Sequence, residues 1–168
     1  MAKSKLSAVE RTAKRAVIGT VKGGGSVVEG VMETVRDVFL TAIDGVAQVA
    51  VAAEKAAGQV VTGAVHGVAE TGGDVLTTLK AAVRGTVKSA AEVGGDAGKA
   101  AVAATQAGIK AAEEVGVDSE DAVKHAVMGA IEAADDIGGD ASKTVRDVLT
   151  TSVKGAKDVI KQPFKNKK

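Results

Sequence analysis

The chain has no cysteine, tryptophan or tyrosine, and only two phenylalanines, two histidines and one proline among its 168 residues. Without cysteine there is no disulfide, no thiolate nucleophile and no cysteine-ligated metal. With aromatics at 1%, the 45% hydrophobic content rests chiefly on alanine and valine, which bury little area each. A wide core with a carved pocket is hard to build from such side chains; thin, close-packed helical contacts are easy. The one proline, Pro163, stands at the C-terminal edge, so none interrupts a helix before it. Long apolar runs are missing as well. No stretch approaches the 18 or so uncharged apolar residues of a spanning helix. The opening "MAKSKLSAVERTAKRAVIGTVK" lacks the unbroken apolar segment of a secretory signal. A cytoplasmic or other intracellular setting is expected, with peripheral membrane association left open.

Charge is present but uneven. Residues 1–22 carry six Lys/Arg against one Glu, and residues 154–168 carry six Lys against one Asp, or +5 at each end. With a net charge of +1, the stretch between them holds −9. Basic ends around an acidic middle steer ends toward middles, or ends toward an anionic surface. This divides the chain into a basic N-terminal helical segment (1–22), a repeat region (23–160) and a basic tail (161–168).

The repeat has a period of 11. "TVRDVFLTAIDG" begins at Thr34 and "TVRDVLTTSVKG" at Thr144, ten elevens apart, while "ETGGD", "EVGGD", "EVGVD" and "DIGGD" recur from Glu70 at two elevens. Residues can be sorted modulo 11, with Met1 in class 1. Apart from Met1, no Val, Ile, Leu, Met or Phe then falls in classes 0, 1, 4 or 8. Classes 2, 5, 6, 9 and 10 form one face of a helix with eleven residues per three turns, and the charged classes form the opposite face. A straight α-helix drifts from this repeat by about 1.8° per residue, so a generic amphipathic helix loses the register. The sustained phase predicts an all-α chain: one long hendecad-patterned amphipathic helix or a few long helices, forming a coiled coil or bundle upon assembly. Stripe residues Val38, Phe39, Ile43, Val61, Leu76, Val83, Ile109, Val127, Ile131 and Leu149 are the expected helix contacts.

Gly72, Gly94, Gly116 and Gly138 all fall in class 6, which otherwise carries mostly large apolar residues such as Val17, Phe39, Val61, Val83, Val127, Leu149 and Ile160. In a continuous helix they are notches that let a second backbone approach closely. The alternative takes each motif as a stop, with Asp74, Asp96, Asp118 and Asp140 capping the next helix of a 22-residue stack. The phase favours continuity. Glycine in helix interiors costs roughly 1 kcal/mol relative to alanine, so poor order alone and ordering upon self-association, partner binding or a surface are expected.

No constellation of catalytic residues is visible, and neither a cofactor, a metal nor a small-molecule substrate is expected. "GGDAGKA" at Gly94–Ala100 fails as a phosphate loop, because its glycines are one residue too close and Ala100 stands where Ser or Thr should follow Lys99. His66 and His125 lie 59 residues apart in charged classes and read as solvated. Nucleic acid is not an expected partner, since stacking aromatics are missing and the middle is acidic.

"GVAQVAVAAEKAAGQVVTGAVHGVAETGG" (Gly45–Gly73) resembles the membrane-binding repeats of the synucleins in its Val-Thr-Gly, Val-His-Gly-Val-Ala and Ala-Glu-Lys elements and its period. The synuclein Lys-Thr-Lys-Glu-Gly core is missing. The whole chain is also similar to apolipoprotein-like and late-embryogenesis-type repeat helices, and to bacterial Ala/Gly-rich proteins with "IGGDA" repeats. These resemblances imply a coat helix on a lipid membrane or polymer-granule surface. The charges suggest a protein neighbour instead. Class 3 is basic at eight of ten charged positions, whereas classes 4 and 8 are acidic at eleven of twelve, Arg15 being the exception. Flanks of opposite sign suit an adjoining helix whose basic edge meets an acidic one. The expected function is a non-enzymatic structural or scaffold protein that self-assembles or organises a protein complex through the stripe, with the lipid or granule coat as the alternative.

Overall fold

The computed structural model describes residues 7–23 and 26–161. These form eight helices and no strand: α1 (Ala8–Lys22), α2 (Val27–Ile43), α3 (Val49–Thr71), α4 (Val75–Glu92), α5 (Ala97–Glu114), α6 (Ser119–Ile137), α7 (Ala141–Ser152) and α8 (Ala156–Lys161). The described residues are all-α, but eight short helices replace the expected one long helix or few long helices. Leu6 and Phe164 of the stripe, Gly24 and Gly25, and all of the basic tail after Lys161 lie outside the described residues.

Local chemistry explains each break. After α3, α4 and α5, the turn satisfies the last carbonyls by a paired pattern of backbone bonds. Gly73 N donates to Val68 O (3.1 Å) and Gly72 N to Ala69 O (3.2 Å). The same pair recurs from Gly95 to Ala90 (2.9 Å) with Gly94 to Ala91, and from Val117 to Ala112 (2.9 Å) with Gly116 to Glu113. Each pattern needs one residue with positive φ, and Gly72, Gly94 and Gly116 supply it at +74°, +78° and +96°. The aspartates then start the next helix. Asp74 accepts from Thr77 N (3.0 Å), Asp96 from Lys99 N (3.0 Å), and Asp118 from Glu120 N and Asp121 N. The fourth junction differs: Gly138 and Gly139 both have positive φ, and Asp140 makes no side-chain cap. At the front, Ser7 and Glu10 form a reciprocal capping box on α1.

The continuous-helix expectation is therefore corrected, and the reason is arithmetical. Loops of arbitrary length destroy an 11-residue phase, but helix plus turn here totals 22 residues from Asp74 to Asp96 to Asp118 to Asp140. Two elevens per unit carry the register through the turns from Asp74 to Asp140.

The helices stack in two layers. α1, α3, α5 and α7 lie side by side, as do α2, α4, α6 and α8, and consecutive helices pack across the layers. Helices two apart run parallel, since Gly63 and Gly67 of α3 face Glu10 and Lys14 of α1 in the same order. Phe39, Leu79, Ile131 and Leu149 are the largest fully buried side chains, in a core otherwise built of valine and alanine.

Candidate interaction surfaces

The stripe residues are brought together inside the chain. Phe39, Val61, Val83, Val127 and Leu149 are completely buried, and Val38, Ile43 and Ile131 nearly so. Ile109 and Leu76 are half-buried. The repeats cover one another's stripe within the chain.

Gly72, Gly94, Gly116 and Gly138 are not close-packing notches. All four are exposed, and a Cβ added at any of them meets nothing within 4 Å. They sit at helix ends, where their positive φ, not their small size, is required. Close approach occurs elsewhere. A Cβ at Gly67 would lie 2.7 Å from Lys14 O, one at Gly85 3.1 Å from Met32 Cα, and one at Gly129 2.5 Å from Lys80 O. Gly63 is tighter still against the Glu10 carbonyl. The signal for Gly63, Gly85 and Gly129 was class 8, whereas Gly67 falls in class 1. Between the aspartates at 74, 96, 118 and 140 the same class holds only small residues, Gly85, Ala107 and Gly129, and Gly63 precedes the first of them. Read at period 22 rather than 11, class 8 alternates a helix cap with a helix-crossing point.

The opposite-sign flanks do meet, between parallel helices of one layer. Lys14 pairs with Glu70 and Arg36 with Glu92 (3.0 Å), class 3 to class 4, and Lys80 pairs with Glu132 (2.9 Å), which stands in class 0. His66 Nε2 reaches Glu114 at 3.1 Å, while the half-buried His125 hydrogen-bonds its own helix backbone at Asp121 O. The densest part joins α4 to α6. Arg84 donates to Asp136 (2.7 Å) and lies 3.4 Å from Glu132, and Lys88 approaches Asp136 at 3.6 Å. The hydrogen bond from Arg84 holds the Asp136 carboxyl below its ordinary range, and the same bond raises the guanidinium. The Asp74 carboxyl is lowered too, first by the Thr77 amide it caps and then by the Thr77 hydroxyl.

Regularity fails at the C-terminal end. α7 has 12 residues where α5 has 18, and it stops where Gln106 Nε2 donates to Ser152 O (2.9 Å). The chain turns at Gly155 (φ +89°) into α8. A groove of about 920 Å³ opens there between α5, the start of α6 and the α7–α8 turn. Among the described residues no group of three or more His, Cys, Asp or Glu is placed to hold a metal ion, and no helix is long and apolar enough to cross a membrane.

These features define a two-layer stack of helices in which Asp74 to Asp140 spans three 22-residue helix–turn units. Comparison with known proteins finds no matching family model and no similar curated protein.

Proposed function

We propose that the chain is a non-enzymatic scaffold: a stack of helices that organises a protein complex or further copies of itself. One observation carries this reading. Stripe, crossing points and charged flanks are matched from helix to helix, an arrangement suited to fixing surfaces relative to one another. The stripe is used within the chain, so contact with partners falls to the outer faces and ends of the stack. The expected preference for a protein over a lipid neighbour draws support from the same ladder, whose basic edges already face acidic edges.

The second reading, a coat on a lipid or polymer-granule surface, draws on the amphipathic helices themselves, whose apolar faces would suit such a surface if the stack opened. Helicity at micromolar concentration, with and without anionic vesicles, together with vesicle flotation, separates the two. Scaffolding expects full helicity in buffer and no flotation. Helicity that appears only with vesicles, with the chain floating on them, overturns it.

A further inference from the structure

The first two helices close the stack on one side. Among the described residues α1 packs only on α2 and α3, and α2 only on α1, α3 and α4. In later helices classes 4 and 8 face the preceding helix of the layer. Ala103 and Ala107 of α5 lie against Gly58 of α3, Gly85 of α4 against Met32 of α2, and Gly129 of α6 against Lys80 of α4. One or two 44-residue steps earlier stand Arg15 and Gly19 of α1, and Asp37 and Thr41 of α2, with no preceding helix to cover them. All four are exposed, and a Cβ added at Gly19 meets nothing within 4 Å.

Charge on this end is sorted by helix. In α3 to α6 the mid-helix class 4 residue is Gln59, Ala81, Ala103 or His125; in α1 and α2 it is Arg15 and Asp37. The exposed charged residues of α1 are all basic: Arg11, Arg15 and Lys22. Those of α2 are acidic, Glu29, Glu33 and Asp37, except for Arg36, which Glu92 already pairs. The side chains of Arg15, Lys22 and these three acids have no hydrogen-bond or ion-pair partner among the described residues.

The two signs also stand level. Residues 23–26 join α1 to α2, and the two helices pack side by side, so they run antiparallel. The Thr20 and Thr34 hydroxyls meet at 2.6 Å. Away from the connection, Arg15 lies five residues from that contact along α1, and Asp37 three along α2. At 1.5 Å per residue they share one level to within about 3 Å.

We propose that this end face binds a second copy of the chain about a two-fold axis parallel to the helices. That rotation keeps every level and lays α1 on the α2 of the other copy, so Arg15 of each meets Asp37 of the other. An axis across the helices would set α1 on α1 and face like charges, so the sorting of sign selects one arrangement. A terminal repeat needs only a polar outer face to stay in solution. Separation of the signs by helix is a further feature, and it makes the face complementary to itself. Two helices wide and about 22 Å long, the face offers roughly 500 Å² per copy, which places the dimer in the weak, salt-sensitive class. The proposal rests on the scaffold reading and names one partner, the chain itself.

Sedimentation velocity of the full chain from about 10 μM to about 1 mM at low salt should show a monomer–dimer equilibrium, weakened at least fivefold by roughly 0.5 M NaCl. Arg15→Glu and Asp37→Arg each set like charges across the two-fold and should weaken the dimer at least tenfold, with circular dichroism unchanged. Mixing the two variants restores opposite charges at both contacts, so the equimolar mixture should dimerise within about threefold of the parent. Lys143→Glu, on α7, should stay within twofold. A parent that remains monomeric throughout, single variants that dimerise as the parent does, or a mixture that remains monomeric overturns the proposal. In each of these cases full helicity in buffer without flotation on anionic vesicles leaves the scaffold reading standing, so the two failures are distinguishable.

Discussion

Gly129 of α6 lies on the backbone of Lys80 in α4, so close that a methyl group there would come within 2.5 Å of the Lys80 carbonyl oxygen. The oxygen belongs to a helix backbone and cannot swing aside. Parallel neighbours within a layer touch at such points, and the ion pairs from Lys80 and Arg84 to Glu132 and Asp136 lie beside this one.

Gly129→Ala should therefore force α4 and α6 apart and destabilise the fold by about 2–3 kcal/mol, as overpacking of a tight contact does. Gly94→Ala adds a methyl in open space and should cost only about 1 kcal/mol, the penalty of placing a side chain at positive φ. Urea unfolding of the two variants gives the comparison. Had Gly94 been the packing contact, the order would be reversed.

The caps should divide in the same way. Asp96→Ala removes the acceptor for Lys99 N and should lower stability by about 1 kcal/mol. Asp140 caps nothing with its side chain, so Asp140→Ala should change the urea midpoint far less.

Among the described residues, the buried threonine hydroxyls of Thr78, Thr86 and Thr105 have no hydrogen-bond partner. Thr105 stands in class 6, where valine or leucine is usual, and is fully buried. Thr105→Val keeps the shape and removes the unmet hydroxyl, so it should raise stability by about 1 kcal/mol, read as an increase in melting temperature.

Acid should loosen the α4–α6 contact. The folded-state value of Asp136 lies below its ordinary 3.8 because Arg84 donates to the ionised form. Its contribution is thus present above the ordinary value and lost as pH falls through the lower folded one. Asp136→Asn should be less stable than the parent at pH 7, and the gap should narrow as pH falls below 4. A gap independent of pH would mean that the carboxylate charge plays no part.

The amphipathic face was legible because burial imposes it on every helix: Phe39, Val61, Val83, Val127 and Leu149 share one class and one core. The complementary flanks were legible for the same reason, as Lys14 and Glu70 show. What the phase could not reveal was chain continuity. A turn that completes a unit of two elevens leaves the same imprint as unbroken helix, so Gly72, Gly94 and Gly116 look like gaps in a stripe although they end helices. Local rules for glycine followed by a capping aspartate were the better guide there. The groove was not legible at all, since it depends on where α7 stops and on Gln106 bonding to Ser152 O, 46 residues away.

The central claim is that the stripe folds back on its own chain instead of extending along one helix. Because the chain has no cysteine, Arg36→Cys with Glu92→Cys introduces a unique pair of spin-label sites. The two native side chains lie 3.0 Å apart in the stack. Double electron–electron resonance on a dilute sample should give an inter-label distance of roughly 20 Å or less, as for neighbouring helices with axes 8–10 Å apart. A distance of about 84 Å, the length of 56 residues at 1.5 Å each, would mean an unbroken helix and would contradict the fold.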